Sequence, residues 1–125
     1  MINTTALAFL GDAVYEVYIR KHVLEKGRQK ADRMHRLAVK YVRAESQAKA
    51  VRRLMEGFLT EEEMALVKRA RNHKTSARSR SADVLTYKMA TAFEALVGFL
   101  SLGEDRERLE QVVFQAVKII EGEEQ

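Results

Sequence analysis

Cysteine, proline and tryptophan are missing from all 125 residues, and glycine occurs only six times. Without cysteine, neither a disulfide framework nor a thiolate metal site can form. Without proline, and with little glycine, the chain holds few residues that interrupt a helix. Ala, Leu, Glu, Lys, Arg and Met, which lose least on entering one, are plentiful. The composition therefore predicts an all-α protein. A long hydrophobic run is also lacking. The most apolar stretch, Ala90 to Leu102, is interrupted by Glu94 and falls short of the roughly 20 residues that span a bilayer. The N-terminus does not show the basic-then-apolar layout of a secretory signal. The expectation is a soluble cytoplasmic protein with no membrane partner, folded as a single domain over residues 1–125.

Charge is abundant but sorted. Residues 20–80 carry 18 Lys and Arg against seven acids, whereas the tail from Glu104 onward carries three basic residues against seven acids. A basic middle beside an acidic end points to a surface built for a polyanion, although a solvated helical face is the plainer account of the same charges. Charge alone does not say which nucleic acid is bound.

Apolar residues recur at helical spacing from Leu7 through Phe9, Leu10, Val14, Val17 and Tyr18 to Val23 and Leu24. Asn3 to Thr5 stand before that run as N-cap candidates, and Gly27 stops it. Asp32 is the candidate cap of a second helix through Met34, Leu37 and Tyr41. A third runs from about Ala44 to Met55, closed by Gly57. Thr60 and Glu63 have the spacing of a capping box ahead of Met64, Leu66 and Val67. From Asn72 to Ala82 there is no large apolar residue, which predicts a basic loop. Asp83 is placed to cap a long apolar helix ending near Leu102, and a last amphipathic helix covers about Asp105 to Ile120. Six helices in one bundle are predicted.

Two acids interrupt the apolar pattern. Asp12 follows Leu7, Ala8, Phe9, Leu10 and Gly11, and Glu94 has apolar neighbours on nearly every side. An ionised carboxylate in such surroundings is costly unless paired or bound to a metal. Two readings stand: the acids meet and ligate one cation, or each pairs with a buried Arg or caps a neighbouring helix. In the first reading no Cys or His lies near either acid, so the donors are all oxygen and favour Mg²⁺ or Mn²⁺ over zinc. Such an ion activates water and stabilises charge on a phosphate in transit. Gly11 and Gly98, each beside one of the acids, mark close approach of a ligand or of another helix.

The run Leu7 to Val14 (Leu-Ala-Phe-Leu-Gly-Asp-Ala-Val) resembles the signature of the ribonuclease III catalytic domain. Thr91 to Gly98 (Thr-Ala-Phe-Glu-Ala-Leu-Val-Gly) resembles that domain's second acidic motif, in the right order and at a fitting separation. Between them, Met34-His-Arg-Leu, Arg69-Ala-Arg-Asn-His-Lys and Asp83-Val-Leu-Thr-Tyr-Lys look like the small Mini-ribonuclease III branch. The resemblance covers nearly the whole chain. It implies an all-helical ribonuclease III-like bundle that works as a homodimer. Its implied activity is Mg²⁺-dependent hydrolysis of phosphodiesters in both strands of double-stranded RNA, leaving 5′-phosphate and 3′-hydroxyl ends. The branch's implied role is maturation of large-subunit ribosomal RNA precursor. Asp12 and Glu94 fall on the family's catalytic, metal-binding acids. The usual Glu one turn before Asp12 is Ala8, and the usual Asp before Glu94 is Thr91, so two of four carboxylates are missing and a second tightly held ion is put in doubt. Glu16, one turn after Asp12, is a candidate helper or a solvent-facing residue.

Duplex RNA is held through its backbone and 2′-hydroxyls rather than its bases. The stretch Lys68 to Arg80 is the expected RNA-binding segment, through Lys68, Arg69, Arg71, Asn72, Lys74, Arg78 and Arg80. Without its six basic residues the rest of the chain would hold 16 basic and 18 acidic side chains, a net −2. Arg36, Lys40, Arg43, Lys49, Arg52 and Arg53 are candidates to extend that surface. Two rival readings differ in class. A catalytically inactive module that binds duplex RNA fits the two absent acids, and a helix-turn-helix DNA-binding protein fits the basic helices at 32–56.

Overall fold

Local capping chemistry sets most of the helix boundaries in the computed structural model, which describes residues 2–27, 29–73 and 82–122. Helix α1 (Thr4–Glu25) begins where the Asn3 side chain accepts from the Ala6 N–H at 2.8 Å, filling one of the donors that a helix start leaves free. Helices α2 (Ala31–Val42) and α3 (Ala44–Leu54) are parted by Arg43 alone, whose extended backbone (φ −67°, ψ 154°) turns the chain between them. Helix α4 (Glu61–Arg71) starts with the full capping box, Thr60 and Glu63 each accepting from the other's N–H. Helix α5 (Ala82–Leu102) is followed by α6 (Arg106–Glu121), capped by Asp105 accepting from the Arg108 N–H at 3.0 Å. Gly27 and Gly57, after α1 and α3, have φ of 121° and 122°, which suits residues without Cβ.

Six helices and no strand among the described residues match the predicted all-α bundle. Two caps were misplaced. Asp32 and Asp83 lie inside the first turns of α2 and α5 rather than ahead of them. An acid in a first turn still meets the positive end of the helix dipole, so the composition signal was real and its register was off. The expected basic loop falls largely on residues 74–81, outside the described residues. No described helix is long and apolar enough to cross a membrane.

Helix α5 is the central element, packed against α1, α3, α4 and α6. Its Phe93, Ala95, Leu96 and Val97 are fully enclosed, and the Phe93 ring meets Tyr15 of α1 edge to face at 4.9 Å, a favoured quadrupole arrangement. Tyr15 in turn donates to the Tyr41 carbonyl at 3.0 Å. Polar clamps tie the outer helices down. Glu63 accepts from Arg108 at 2.7 and 2.9 Å, and Arg108 also donates to the Phe58 carbonyl, joining α4 to α6.

The end of α6 is held by Glu121, whose Oε2 accepts from Tyr41 at 2.6 Å, His22 at 2.9 Å and Lys26 at 3.0 Å. Burial would push this carboxyl up, but the three donors outweigh it and bring it from 4.5 down to about 2. A depressed carboxylate stabilises the fold above its unfolded pKa, and that contribution is lost as pH falls through the folded value. At about 1.4 kcal/mol per unit the cluster contributes on the order of 3 kcal/mol. Glu121→Gln is therefore expected to lower unfolding stability at pH 7, and the gap to wild type should close between about pH 4.5 and 2. Urea unfolding of both proteins across that range checks it, and a gap independent of pH would contradict the assignment.

Candidate functional site

The crossing of α1 and α5 puts two motifs against each other through their glycines. A Cβ on Gly11 would lie 1.7 Å from the Glu94 carbonyl oxygen, and one on Gly98 would lie 2.0 Å from that of Leu7. The two backbones thus touch with no side chain between them. Of the two uses that the sequence allowed these glycines, helix packing is the one seen. It is also what positions the acids, because Asp12 and Glu94 adjoin this contact on facing helices.

Asp12 and Glu94 are within hydrogen-bonding reach of one another. Glu94 is half-buried, while Asp12 is exposed. The expectation of two acids in uniformly apolar surroundings holds for Glu94 and fails for Asp12. Phe9, Ala13 and Val17, the apolar neighbours of Asp12, turn outward rather than into the core. Burial first, then the hydrogen bond and charge of Asp12, raise the Glu94 carboxyl well above the ordinary carboxylate range. Two carboxylates drawn together cannot both ionise cheaply without a positive charge. Among the described residues no arginine or lysine is bonded to either, so the alternative of pairing with a buried Arg is not what is seen. No cluster of three or more His, Asp or Glu forms among the described residues either, so any cation here would meet two carboxylates. Such an all-oxygen pair fits Mg²⁺ or Mn²⁺, which keep much of their water.

Three further positions were singled out in the sequence. Ala8 is buried, Thr91 is half-buried on α5, and Glu16 accepts from Arg20 at 2.8 Å on the outside of α1. That contact gives Glu16 the plain solvent-facing role. Gln47 was missed. It comes from α3, is only 2% exposed, and comes close enough to Glu94 to oppose the upward shift of its carboxyl. A signal existed, since position 47 falls in the buried register of Ala50, Val51 and Leu54, where an amide is out of place.

The expected RNA-binding residues divide. Lys68, Arg69 and Arg71 occupy the last turn of α4, and Asn72 is its C-cap, bonded to Arg71 at 3.2 Å. Lys74, Arg78 and Arg80 lie outside the described residues. His73 reaches Thr5 at 3.4 Å, which brings the end of α4 to the start of α1. Asp12 stands seven residues further along α1, an axial rise of about 10 Å. The described end of the basic segment, at His73, therefore lies by the start of the helix that carries Asp12. Cations in a last turn also suit the helix dipole, which accounts for some of this clustering without RNA.

A family model described as the Ribonuclease III domain matches residues 5–105. Proteins named Mini-ribonuclease 3 are similar over almost the entire chain. The Streptococcus pneumoniae protein is 45% identical, the match covering 98% of this chain and 96% of the relative. The Staphylococcus aureus protein is 39% identical across 96% of this chain and 90% of its own. A crystal structure of a Fusobacterium nucleatum protein superposes with a TM-score of 0.79 at 34% identity, covering 93% of this chain and 92% of the other.

Proposed function

The chain belongs to the ribonuclease III domain family, in its Mini-ribonuclease 3 branch, and from that premise we propose that Asp12 and Glu94 form its Mg²⁺-binding catalytic pair. The protein is an endoribonuclease of the double-stranded-RNA-cleaving type. The single observation that supports the site is the meeting of these two carboxylates across a glycine-to-glycine helix contact. Keeping residues 1–125 as one catalytic domain accords with the one core that α5 organises.

Asp12 and Glu94 hold the divalent cation, with Mn²⁺ able to substitute for Mg²⁺. When bound, the ion supplies Lewis-acid stabilisation of the phosphate charge and activates the attacking water. Lys68, Arg69 and Arg71, together with Lys74, Arg78 and Arg80, neutralise duplex phosphates and Asn72 hydrogen-bonds them, and the charge term carries no sequence preference. The products are 5′-phosphate and 3′-hydroxyl ends, and the physiological substrate is large-subunit ribosomal RNA precursor in the cytoplasm. Cleavage of a long RNA duplex with Mg²⁺, with Mn²⁺ and with EDTA tests the reading. Duplex binding without cutting in either metal would make the protein an RNA-binding module instead.

The working unit is a homodimer, since two staggered cuts in antiparallel strands call for two sites related by a two-fold axis. Ala6, Phe9, Ala13 and Val17 repeat at intervals of three and four along α1 and are all exposed, Phe9 by 84%. A stripe of this kind on an outer helix face, flanked by Asp12, suits a second copy of the chain. Phe9→Glu is expected to give a monomer by light scattering with unchanged helix content. A variant that remains dimeric would show that another face pairs.

A further inference from the structure

Gln47 is an amide where the fold has little use for one. It lies on α3 in the stripe that packs against α5, 2% exposed, among Ala48, Ala50, Val51 and Leu54. Its Nε2 donates to the Val42 carbonyl at 2.8 Å, at the end of α2. The same side chain approaches the Glu94 carboxyl closely enough to favour its ionised form against the effect of burial. The Val42 carbonyl is an acceptor, and so is Glu94 once a cation has displaced its proton, so the N–H side of the amide serves both. That orientation leaves Oε1 over, and it is the one fully buried side-chain oxygen or nitrogen among the described residues with no hydrogen-bond partner. A buried acceptor without a donor costs about 1–3 kcal/mol. Within a folded chain such an atom is normally met by ordered water or a ligand.

We propose that Gln47 is a third member of the acid site, a positioning residue that ties the Glu94 carboxylate to the α2–α3 junction and presents a neutral oxygen to the hydrated cation. This rests on the two-carboxylate reading above and goes beyond it. Two physical points favour it. Carboxylate ligands need outer partners to hold their orientation, and Glu94 receives none from a cationic side chain among the described residues. A site with only two acids also lacks the anionic charge to bind a cation tightly, so fixed neutral oxygens carry more of the load. The amide suits this better than a third acid would, because it donates to Glu94 instead of repelling it. Helix α3 thereby joins α1 and α5 in building the centre.

The test is cation binding by the whole chain, read without RNA. Free Mn²⁺ is counted by electron paramagnetic resonance for wild type, Asp12→Asn and Gln47→Met, the last keeping the length of the side chain but neither its N–H nor its oxygen. Gln47→Met is expected to bind Mn²⁺ about tenfold more weakly, the lower end of what outer-partner loss costs a metal site, and to recover kcat when Mn²⁺ is raised to saturation. A purely structural Gln47 would lower Tm and leave the affinity of the folded protein unchanged, which would overturn the role. The second arm uses wild type alone. The Gln47 side-chain amide resonances are expected to shift as Mg²⁺ is added, and an unmoved pair would overturn the proposal whether or not the variant folds. Loss of Mn²⁺ binding in Asp12→Asn with full binding in Gln47→Met removes Gln47 from the site and leaves the two carboxylates standing. A wild type that binds neither ion overturns both.

Discussion

Asp12→Asn and Glu94→Gln are each expected to reduce cleavage of duplex RNA by at least about 10³-fold, with helix content, self-association and duplex binding at wild-type levels. Three decades of rate correspond to about 4 kcal/mol of barrier, within the several kcal/mol of charge stabilisation that a catalytic ion supplies. Neither substitution should harm the fold. Asp12 is exposed, and Asn keeps its shape. Glu94 in the cation-free protein holds its proton well above the ordinary range, so the neutral Gln resembles the form already present. The linkage sign gives an independent check. A carboxyl whose folded pKa is raised stabilises fully below its unfolded pKa, and that stability is lost as pH rises through the folded value. In EDTA, wild type should therefore lose thermal stability as pH climbs from about 4.5 through the raised Glu94 pKa, and Glu94→Gln should lose less. Added Mg²⁺ should restore the wild type and leave the variant unmoved. Cleavage by Glu94→Gln at a rate within tenfold of wild type would remove Glu94 from the centre.

Gly11→Ala has the largest expected effect on the fold. Its new methyl would lie 1.7 Å from the Glu94 oxygen, 2.7 Å from the carbon of that carbonyl, and 2.8 Å from the Gly98 nitrogen. Every one of these is backbone inside a central helix, so no rotamer change relieves the clash and α1 must move off α5. Overpacking a core costs about 1–3 kcal/mol when side chains can adjust, and here they cannot. The gain in helix propensity on replacing Gly, about 0.5–1 kcal/mol, is smaller. At roughly 4 °C per kcal/mol for a domain of this size, Tm should fall by about 10 °C or more. Activity should fall further than stability does, because separating the helices separates Asp12 from Glu94. Gly103→Ala is the control, with the nearest atom to its Cβ at 3.5 Å, and should melt within about 2 °C of wild type. Equal melting of the two variants would mean that the α1–α5 contact yields more easily than its geometry implies.

Much of the acid site could be read in advance because its members sit in short runs whose meaning is local. Asp12 and Glu94 each stood out as an acid in an apolar stretch, and the glycines beside them marked a close approach. Gln47 gave a weaker signal. A glutamine in a basic, polar helix is unremarkable until the burial of its face is known, and that burial is decided by α5, more than 30 residues further along the chain. Glu63 was half-legible for the same reason. Its capping box follows from a three-residue spacing, whereas its bond to Arg108 spans 45 residues and no pattern within either helix foretells it. Phe9 was read as part of a helical apolar run, and only the packed structure shows it facing outward.

What the sequence determined by itself was whatever depends on neighbours within a turn or two. Six helices, most of their ends, the sorting of charge and the two acidic motifs belong there, since helix formation and capping are settled by residues three and four apart. What the tertiary structure alone decided was which face of each helix is covered. It made Asp12 accessible and Glu94 half-buried, brought Gln47 between α2 and Glu94, and left the Phe9 stripe exposed. The reason is that α1 is apolar on two faces, so its own periodicity cannot choose between core and interface. The glycine contact with α5 makes that choice, because only there can two helix backbones meet without a side chain between them.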